Sequence, residues 1–205
     1  MKKPAILLIG PTGSGKTPLG EYIAAKGLFK KHFSHFDFGE LLRTTAAGTR
    51  ACDLSAADIR RLQDILDSGA LLEKETFYLA ERIISHFNAT TAAEAVVLNG
   101  LPRHQQQAQD VSPWFDIRLV VRLQCDAQTV VDRIQTNAGR DRTSRVDDHV
   151  TLIEKKLAIF DSRTAPLCDW FTTKGVAVAE VSVKVDTQPE NIVACLEEKM
   201  GDFAL

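Results

Sequence analysis

The sequence predicts an α/β protein built on a doubly wound parallel sheet of about five strands that is flanked by helices. The first reason is a series of short, continuous apolar runs, which are typical of strands buried on both faces of a parallel sheet. The second reason is that segments with a helical spacing of apolar residues separate these runs. This alternation favours parallel strands joined by helical crossovers.

Five segments have the length and composition of strands. Ala5–Ile9 and Ala95–Leu98 consist of apolar residues alone, which suits interior positions of a sheet. The other three are mostly apolar and of similar length. The expected strands cover residues 5–9, 33–38, 95–98, 117–123 and 176–183.

The expected helices lie between these strands, and several carry recognisable end signals. Ser55 and Asp58 have the spacing of a capping box, and Gly27 and Gly69 follow the last turns of two helices. Pro166 lies in the longest helical segment and is expected to kink or divide it. The expected helices cover residues 16–26, 40–47, 55–69, 74–87, 127–135, 147–171 and 189–199.

The composition is that of an ordinary globular chain. With 205 residues, 44% of them hydrophobic and 25% charged, the chain suits one compact domain and is unlike disordered or low-complexity chains. Its 25 Lys and Arg residues nearly balance 27 Asp and Glu residues, so we expect no nucleic-acid or membrane partner. No apolar stretch approaches the roughly 20 residues needed to span a bilayer, and no targeting signature is visible. A cytoplasmic location is therefore expected.

The four cysteines give no sign of a metal site. Cys52, Cys125, Cys168 and Cys195 are scattered and contain no C-x-x-C pair. We therefore expect free thiols in a reducing compartment, without disulfides or bound zinc.

The strongest local signal is a glycine-rich loop between the first strand and the first helix. Residues 10–17 read GPTGSGKT and satisfy the pattern G-x-x-x-x-G-K-[ST] of a phosphate-binding P-loop. Glycines allow backbone N–H groups to approach phosphate oxygens, and the following helix N-terminus attracts the same anion. The residues expected to bind the nucleotide phosphates are Gly10, Gly13, Ser14, Gly15, Lys16 and Thr17.

The loop predicts a P-loop NTPase-type fold, and the rest of the sequence narrows the class. The chain has no guanine-reading N-K-x-D segment, which a GTP switch protein should carry. It is also too short for a large motor ATPase. The size is that expected of a small-molecule kinase.

Further segments carry a resemblance to a known family. Asp37–Arg43 reads DFGELLR, and Leu98–Arg103 reads LNGLPR with Gln107 four residues later. Arg145–Asp148 reads RVDD, and Thr164–Leu167 reads TAPL. Together with the P-loop, in this order and spacing, these segments resemble the adenylate kinase family of nucleoside monophosphate kinases. The resemblance covers nearly the whole chain.

The resemblance implies three functional parts within one P-loop kinase domain, residues 1–205. A core would hold the phosphates of ATP, residues 37–87 would form a helical monophosphate-binding insert, and residues 137–146 would form a lid. This lid segment has no room for a long subdomain and no cysteines for zinc, so the resemblance is to the short-lid form. Short-lid members are usually monomers, and a monomer is expected here.

The resemblance also assigns the acceptor site. Arg43 and Arg103 would hold the phosphate of the nucleoside monophosphate, and Gln107 would face its base. Gly69 and Leu72 would lie along the nucleoside. The complete set of expected acceptor residues is Phe38, Gly39, Arg43, Leu72, Gly100, Arg103 and Gln107.

Phosphoryl transfer between two polyanions needs charge neutralisation and in-line positioning more than covalent chemistry. Arginine suits this task because its planar, permanently charged fork holds phosphate oxygens in pairs. The lid contribution would come from Arg140 or Arg142. The residues expected to act on the transferring group are Lys16, Arg103, Arg133, Arg140, Arg145 and Lys156, and Mg²⁺ would be bound by Thr17 and, through water, by Asn99.

The sequence departs from the family pattern at positions that bear on turnover and specificity. Asn99 stands where the family has the Asp that supports Mg²⁺, and Glu40 is expected to replace part of the lost charge. Phe38 replaces a Thr that lies near the acceptor base, which puts AMP specificity in doubt. Lys156 replaces an Arg and loses its bidentate fork.

The sequence therefore predicts an Mg²⁺-dependent kinase that transfers the γ-phosphoryl group of ATP to AMP or to a pyrimidine nucleoside monophosphate. Two alternatives remain open. The departures at Asn99 and Lys156 also suit a regulatory protein that binds nucleotide with little turnover. A P-loop kinase of a non-nucleotide metabolite would explain the loop and Arg103, but neither Gln107 nor the RVDD segment.

Overall fold

The computed structural model describes residues 2–49, 53–141, 150–201 and 203–205. Within the predicted lid it describes residues 137–141 only. Arg142 and Arg145 lie outside the described residues, and so does Cys52.

The five predicted strands form a single parallel sheet with the order β2-β3-β1-β4-β5. Crossovers on both sides of the central strand make this a doubly wound sheet, which confirms the predicted fold class. The strands are β1 (Lys3–Ile9), β2 (Phe33–Asp37), β3 (Ala95–Asn99), β4 (Phe115–Gln124) and β5 (Ala177–Ser182).

Helices join and cover the strands. Ser55 caps its helix as the sequence predicts, because its hydroxyl accepts from the backbone N–H of Asp58 while the Asp58 carboxylate accepts in return. The helices are α1 (Lys16–Lys26), α2 (Phe38–Ala46), α3 (Ala56–Ser68), α4 (Phe77–Thr90, after a 3₁₀ turn at Lys74–Thr76), α5 (Gln105–Val111), α6 (Ala127–Gln135), α7 (Val150–Ile159), α8 (Leu167–Thr173) and α9 (Pro189–Met200).

The long helical segment is divided, as Pro166 predicts, into α7, a π-helical turn at Phe160–Thr164, and α8, which begins after Pro166. Two other elements differ from the sequence prediction. Phe38 starts α2 instead of ending β2, because Asp37 caps this helix. Helix α5 was not predicted, since its glutamine-rich sequence has no apolar period and buries only Gln107, Ala108 and Val111.

The core lies in two layers, one on each face of the sheet. Alternate residues of β1 enter opposite layers, with Leu7 and Ile9 in one and Ile6 and Leu8 in the other, and all are at most 2% exposed. Each such side chain contributes about 1.5–3 kcal/mol to folding by leaving water. This explains why the strand is apolar at every position from Ala5 to Ile9.

The predicted insert, residues 37–87, shares one of these layers. Phe38, Leu42, Leu62 and Phe77 are buried in the same cluster as the β1 residues Leu7 and Ile9. The apolar faces of α2, α3 and α4 thus attach the insert to the sheet, next to the carboxyl ends of β1, β2 and β3. In open parallel sheets this edge is where ligands bind.

The structure also bears on the cysteine prediction. Cys125, Cys168 and Cys195 are free thiols, and burial raises the pKa of the first two. In the described part of the chain, no helix is long and apolar enough to cross a bilayer.

Candidate active site

The P-loop follows β1 and ends at the first turn of α1. Gly13 and Gly15 have φ values of 79° and 94°, in the left-handed region that favours glycine. A Cβ atom at Gly13 would lie 2.8 Å from Cγ1 of Ile134, and one at Gly15 would lie 3.0 Å from a guanidinium nitrogen of Arg133. Both glycines are therefore required by conformation and by space.

Lys16 lies inside the curve of the loop. Its Nζ donates to the carbonyl oxygens of Gly10 and Pro11, both at 2.7 Å, and lies 3.4 Å from Oγ of Ser14. Ser14 is fully buried, whereas Lys16 borders open space. Helix α1 has no acidic residue of its own in its first turn, and its N-terminus attracts an anion in the loop.

A cleft beside the loop contains most of the predicted site residues. The predicted residues that line this cleft are Gly13, Gly15, Lys16, Thr17, Phe38, Gly39, Arg43, Leu72, Asn99, Gly100, Arg103, Gln107 and Lys156. Residues predicted for phosphate, acceptor and metal binding therefore meet at the sheet edge between the P-loop and residues 37–87.

Arg43 reaches the cleft from α2. Its guanidinium donates to the carboxylate of Glu40, one turn earlier, at 2.9 and 3.3 Å, and its side chain is 29% exposed. A Cβ at Gly39 would lie 3.4 Å from this guanidinium, so Gly39 gives Arg43 room to cross the start of the helix. Glu40 thus pairs with Arg43 and is not part of the cleft lining, whereas Asp37 is.

Arg103 reaches the cleft from the segment after β3. Burial lowers the pKa of its guanidinium, and the carboxylate of Asp37 acts in the opposite direction. Its backbone is fixed on both sides, since its N–H donates to Gln107 Oε1 at 2.8 Å and its carbonyl accepts from Thr164 Oγ1 at 2.9 Å. Arg103 therefore offers a positioned, permanently charged fork.

Gln107 lies on α5 at the back of the cleft and is 2% exposed. Besides accepting from the Arg103 N–H, its amide donates from Nε2 to the carbonyl of Leu72 at 2.8 Å. Gln107, which was expected to face the base, thus joins the main chain at Arg103 to the main chain at Leu72. A bound base would have to share or replace the bond to Leu72 to use this amide.

Phe38 replaces a polar family residue at the same end of the cleft. Its ring is 5% exposed and stacks against Phe36, with ring centroids 5.9 Å apart and planes 15° apart. The acceptor end is consequently more apolar here than a threonine would make it.

The structure reveals one site residue, Asp37, that the sequence analysis did not select. Thr17 Oγ1 donates to Asp37 Oδ2 at 2.6 Å, and Asn99 Nδ2 donates to the same oxygen at 2.8 Å and to Thr17 Oγ1 at 3.1 Å. Asp37 and Asn99 are register partners on β2 and β3. The sequence alone carries no signal for this contact, because it depends on β2 and β3 being neighbours in the sheet.

Hydrogen bonding determines the state of Asp37. Burial alone would raise the pKa of its carboxyl, but bonds from Thr17 and from the Glu40 backbone, with the charges of His35 and Arg43, hold that pKa below its ordinary value. Asp37 is therefore a carboxylate at neutral pH.

Two other predicted cations, Arg133 and Arg140, do not line the cleft. Arg133 is 4% exposed and donates to the carbonyl of Gly13 at 3.1 Å and to those of Lys184 and Val185 at 2.7 and 2.9 Å. It thus ties the P-loop to the segment after β5 and does not line the cleft. Arg140 is exposed, has a φ of 55° and is also absent from the lining. Arg145 lies outside the described residues.

The donor set at the end of the P-loop fits magnesium. Thr17 and Asp37 offer oxygen atoms, and Mg²⁺ prefers oxygen ligands, of which phosphates and waters supply most. No cluster of three or more His, Cys, Asp or Glu side chains suited to a metal occurs among the described residues. A nucleotide-borne Mg²⁺ fits this arrangement better than a metal held by the protein alone.

A P-loop at the carboxyl edge of a doubly wound sheet, with Arg43 and Arg103 lining the same cleft, defines a P-loop protein of the phosphotransferase class. A sequence profile of the family described as "AAA domain" matches residues 9–151. Because this match covers most of the chain, the protein belongs to that family of P-loop domains.

The chain is also similar to named proteins over most of its length. An adenylate kinase of Synechococcus sp. (strain WH7803) is 26% identical over 97% of this chain and all of the relative. One of Maricaulis maris (strain MCS10) is 28% identical over 95% of this chain and 99% of the relative. The human adenylate kinase isoenzyme 5 is 29% identical over 82% of this chain, which corresponds to 28% of that protein. The predicted resemblance to adenylate kinases is confirmed.

Proposed function

We propose that the protein transfers the γ-phosphoryl group of ATP to AMP or to a pyrimidine nucleoside monophosphate, with Mg²⁺ as cofactor. Its similarity to adenylate kinases makes it an ATP-dependent nucleoside monophosphate kinase. The observation that best supports the proposal is that the P-loop residues Lys16 and Thr17 share one cleft with Arg43 and Arg103.

The chemistry requires two phosphate groups held facing each other. Lys16 and the P-loop N–H groups would bind the donor phosphates, with Lys16 exchanging its bonds to Gly10 and Pro11 for bonds to phosphate. Arg43 and Arg103 would hold the acceptor phosphate. An acceptor oxygen then bonds to the γ-phosphorus while the bond to the β-γ bridging oxygen breaks, which leaves ADP and a nucleoside diphosphate.

Mg²⁺ would be held near Thr17, and when bound it neutralises negative charge on the phosphates. The remaining neutralisation falls to the side chains. Lys16, Arg103 and Lys156 line the cleft and would carry most of it, with Arg133, Arg140 and Arg145 as further candidates around the lid. Exclusion of water by the lid would direct transfer to the acceptor.

The acceptor base is the finer part of the proposal. The relatives' name, adenylate kinase, favours AMP. The apolar Phe38 ring and the prior engagement of Gln107 with Leu72 favour a changed base preference, which is why the pyrimidine monophosphates remain candidates.

A turnover panel tests the proposal. Purified protein receives ATP and Mg²⁺ with AMP, CMP, UMP, GMP or dTMP, and the diphosphate products are quantified. Conversion of AMP, CMP or UMP is expected, and Lys16→Met should lower kcat by about 10²–10³-fold because it removes a charge aimed at the transferring group. Lys26→Met, an exposed change in the last turn of α1, is the matched control and should leave turnover unaltered.

Repeating the panel with Phe38→Thr sharpens the acceptor assignment. We expect the ranking of monophosphates to change while the KM for ATP does not. Tight ATP binding without conversion of any monophosphate would contradict the proposal and favour a regulatory nucleotide-binding protein. Phosphorylation of a non-nucleotide metabolite alone would favour the other alternative.

A further inference from the structure

We infer that Asp37, at the carboxyl end of β2, supplies the carboxylate that holds Mg²⁺ at Thr17. The family resemblance places this charge one strand away, at position 99, where this chain has Asn. The inference rests on the proposed function, because it concerns the metal that would accompany ATP. It assigns a metal-binding role to a residue outside the adenylate kinase pattern.

The first argument is geometric. Asp37 Oδ2 lies 2.6 Å from Thr17 Oγ1, the hydroxyl that a P-loop uses to bind Mg²⁺. Since this hydroxyl donates its proton to Asp37, the lone pairs on its oxygen, one of which accepts from Asn99 Nδ2, are directed away from Asp37. A carboxylate that accepts from a ligating group orients that group and makes it a better metal ligand.

The second argument is electrostatic. Asp37 lines a cleft in which the cationic groups of Lys16, Arg43, Arg103 and Lys156 suit phosphate. A carboxylate beside a polyphosphate repels it, unless a divalent cation lies between them and turns repulsion into attraction. Asp141 also lines the cleft, but Asp37 is the carboxylate bonded to Thr17.

Helix capping does not account for this carboxylate. Capping uses the other oxygen, Oδ1, which accepts from the Glu40 N–H at 3.0 Å. Asn or Ser would cap α2 about as well without a charge. The second oxygen of Asp37 is therefore available for the interaction with Thr17.

Asn99 lies on β3, at the position where the family resemblance places the acid, and it is the partner of Asp37 on β2. Its Nδ2 donates to both Asp37 and Thr17, so the side of the amide that faces the site is its donor side. In this orientation Asn99 positions the carboxylate and does not itself accept from a metal-bound water. Because Asp37 and Asn99 are register partners, an acid–amide pair keeps one negative charge at this edge whichever strand carries the acid.

The test measures metal binding apart from turnover. The β,γ-imido analogue of ATP is titrated into wild-type protein and Asp37→Asn, once with Mn²⁺ and once with EDTA. Electron paramagnetic resonance reports bound Mn²⁺. Mn²⁺ should raise the affinity of the wild type for the analogue, and in the variant this gain should be about 10- to 100-fold smaller. The affinity of the variant for the metal-free analogue should stay the same or rise.

Equal affinities of wild type and Asp37→Asn for the Mn²⁺ complex would overturn the inference. Equal losses with Mn²⁺ and with EDTA would overturn it too, since a merely structural role of Asp37 predicts that pattern. The exchanged variant Asp37→Asn/Asn99→Asp should recover Mn²⁺ binding, and no recovery in a folded protein would refute the exchange. A wild type that binds Mn²⁺ through Asp37 yet phosphorylates no monophosphate would sink the proposed function alone.

Discussion

The two sides of the cleft hold their charged groups by different means. On the core side, residues 10–17 and 99–103, main-chain bonds and glycine conformations fix Lys16 and the backbone of Arg103. On the insert side, residues 38–43 and 65–72, Arg43 depends on one carboxylate of its own helix and remains 29% exposed. The core side is therefore built as part of the sheet, whereas the insert side is attached to it.

This difference explains where the chain tolerates change. Groups on the core side are fixed by backbone geometry that few residue types can adopt, so the P-loop pattern is complete. The insert side relies on side-chain packing, where Phe38 can replace a polar residue by stacking on Phe36. Phosphate binding is thus expected to be robust, and base recognition adaptable.

The largest expected effect separates the two sides directly. Arg103→Ala should lower kcat/KM for the acceptor by about 10- to 100-fold, because it removes a desolvated, charge-assisted contact. Arg43→Ala should cost about tenfold at most, since Arg43 is partly solvated and already paired with Glu40. Steady-state kinetics with varied monophosphate at saturating ATP measure both. Equal effects would mean that the two sides bind the phosphate equally.

A smaller effect tests the support behind the P-loop. A Cβ at Gly20 of α1 would lie 2.2 Å from Nε2 of His35 on β2, a nitrogen that is buried without a hydrogen-bond partner. Gly20→Ala should lower the free energy of unfolding by about 1–3 kcal/mol through overpacking, as urea denaturation would measure. Lys26→Ala, on the exposed part of the same helix, is the control.

Truncating the opposing ring checks the cause of that loss. In Gly20→Ala/His35→Ala the added methyl group gains space, so the double variant should be more stable than the sum of the two single changes predicts. Additive changes would locate the cost of Gly20→Ala in the backbone of α1 and not in its contact with β2.

The smallest effect is a pH dependence of stability at the same contact. Burial lowers the pKa of His35 below its ordinary value of 6.5, while the Asp37 carboxylate opposes this. The unfolded chain therefore takes up this proton first, and the stability contributed by neutral His35, complete above pH 6.5, declines as the pH falls below it.

Urea denaturation between pH 7.5 and 5.5 measures this slope, which is at most about 1.4 kcal/mol per pH unit for one group. His35→Gln should flatten the slope, leaving the contribution of His104, whose pKa burial also lowers. His32→Gln, at an exposed position directly before β2, is the matched substitution control. A slope unchanged in His35→Gln would show that this ring is not the titrating group.

Elements with a strong local signal were predictable from the sequence. All five strands and the P-loop followed from apolar runs and glycine spacing, and Ser55 marked the start of α3. Helix α5 escaped because its stability comes from tertiary contacts of Gln107, not from an apolar period. The site depends still more on contacts between residues distant in sequence.

The contacts of Asp37 and those of Arg133 illustrate this limit. Asp37 meets Thr17 and Asn99 only because β2 and β3 are neighbours, and strand order is not written in any single segment. Arg133 looks like one more cation of a basic cluster, yet its bonds go to carbonyls about 50 residues further along the chain. The sequence shows the type of residue at both positions, but it does not show the hydrogen-bond partners of Asp37 and Arg133.

The double engagement of Gln107 has an evolutionary consequence. One amide holds the backbone of Arg103 and the carbonyl of Leu72, so replacing it to suit another base would also loosen Arg103, the arginine proposed to bind the acceptor phosphate. Selection for a new substrate therefore meets a penalty at position 107 that it does not meet at Phe38, whose contacts are apolar. Lineages that diverge in base preference should vary first at position 38 and keep the glutamine.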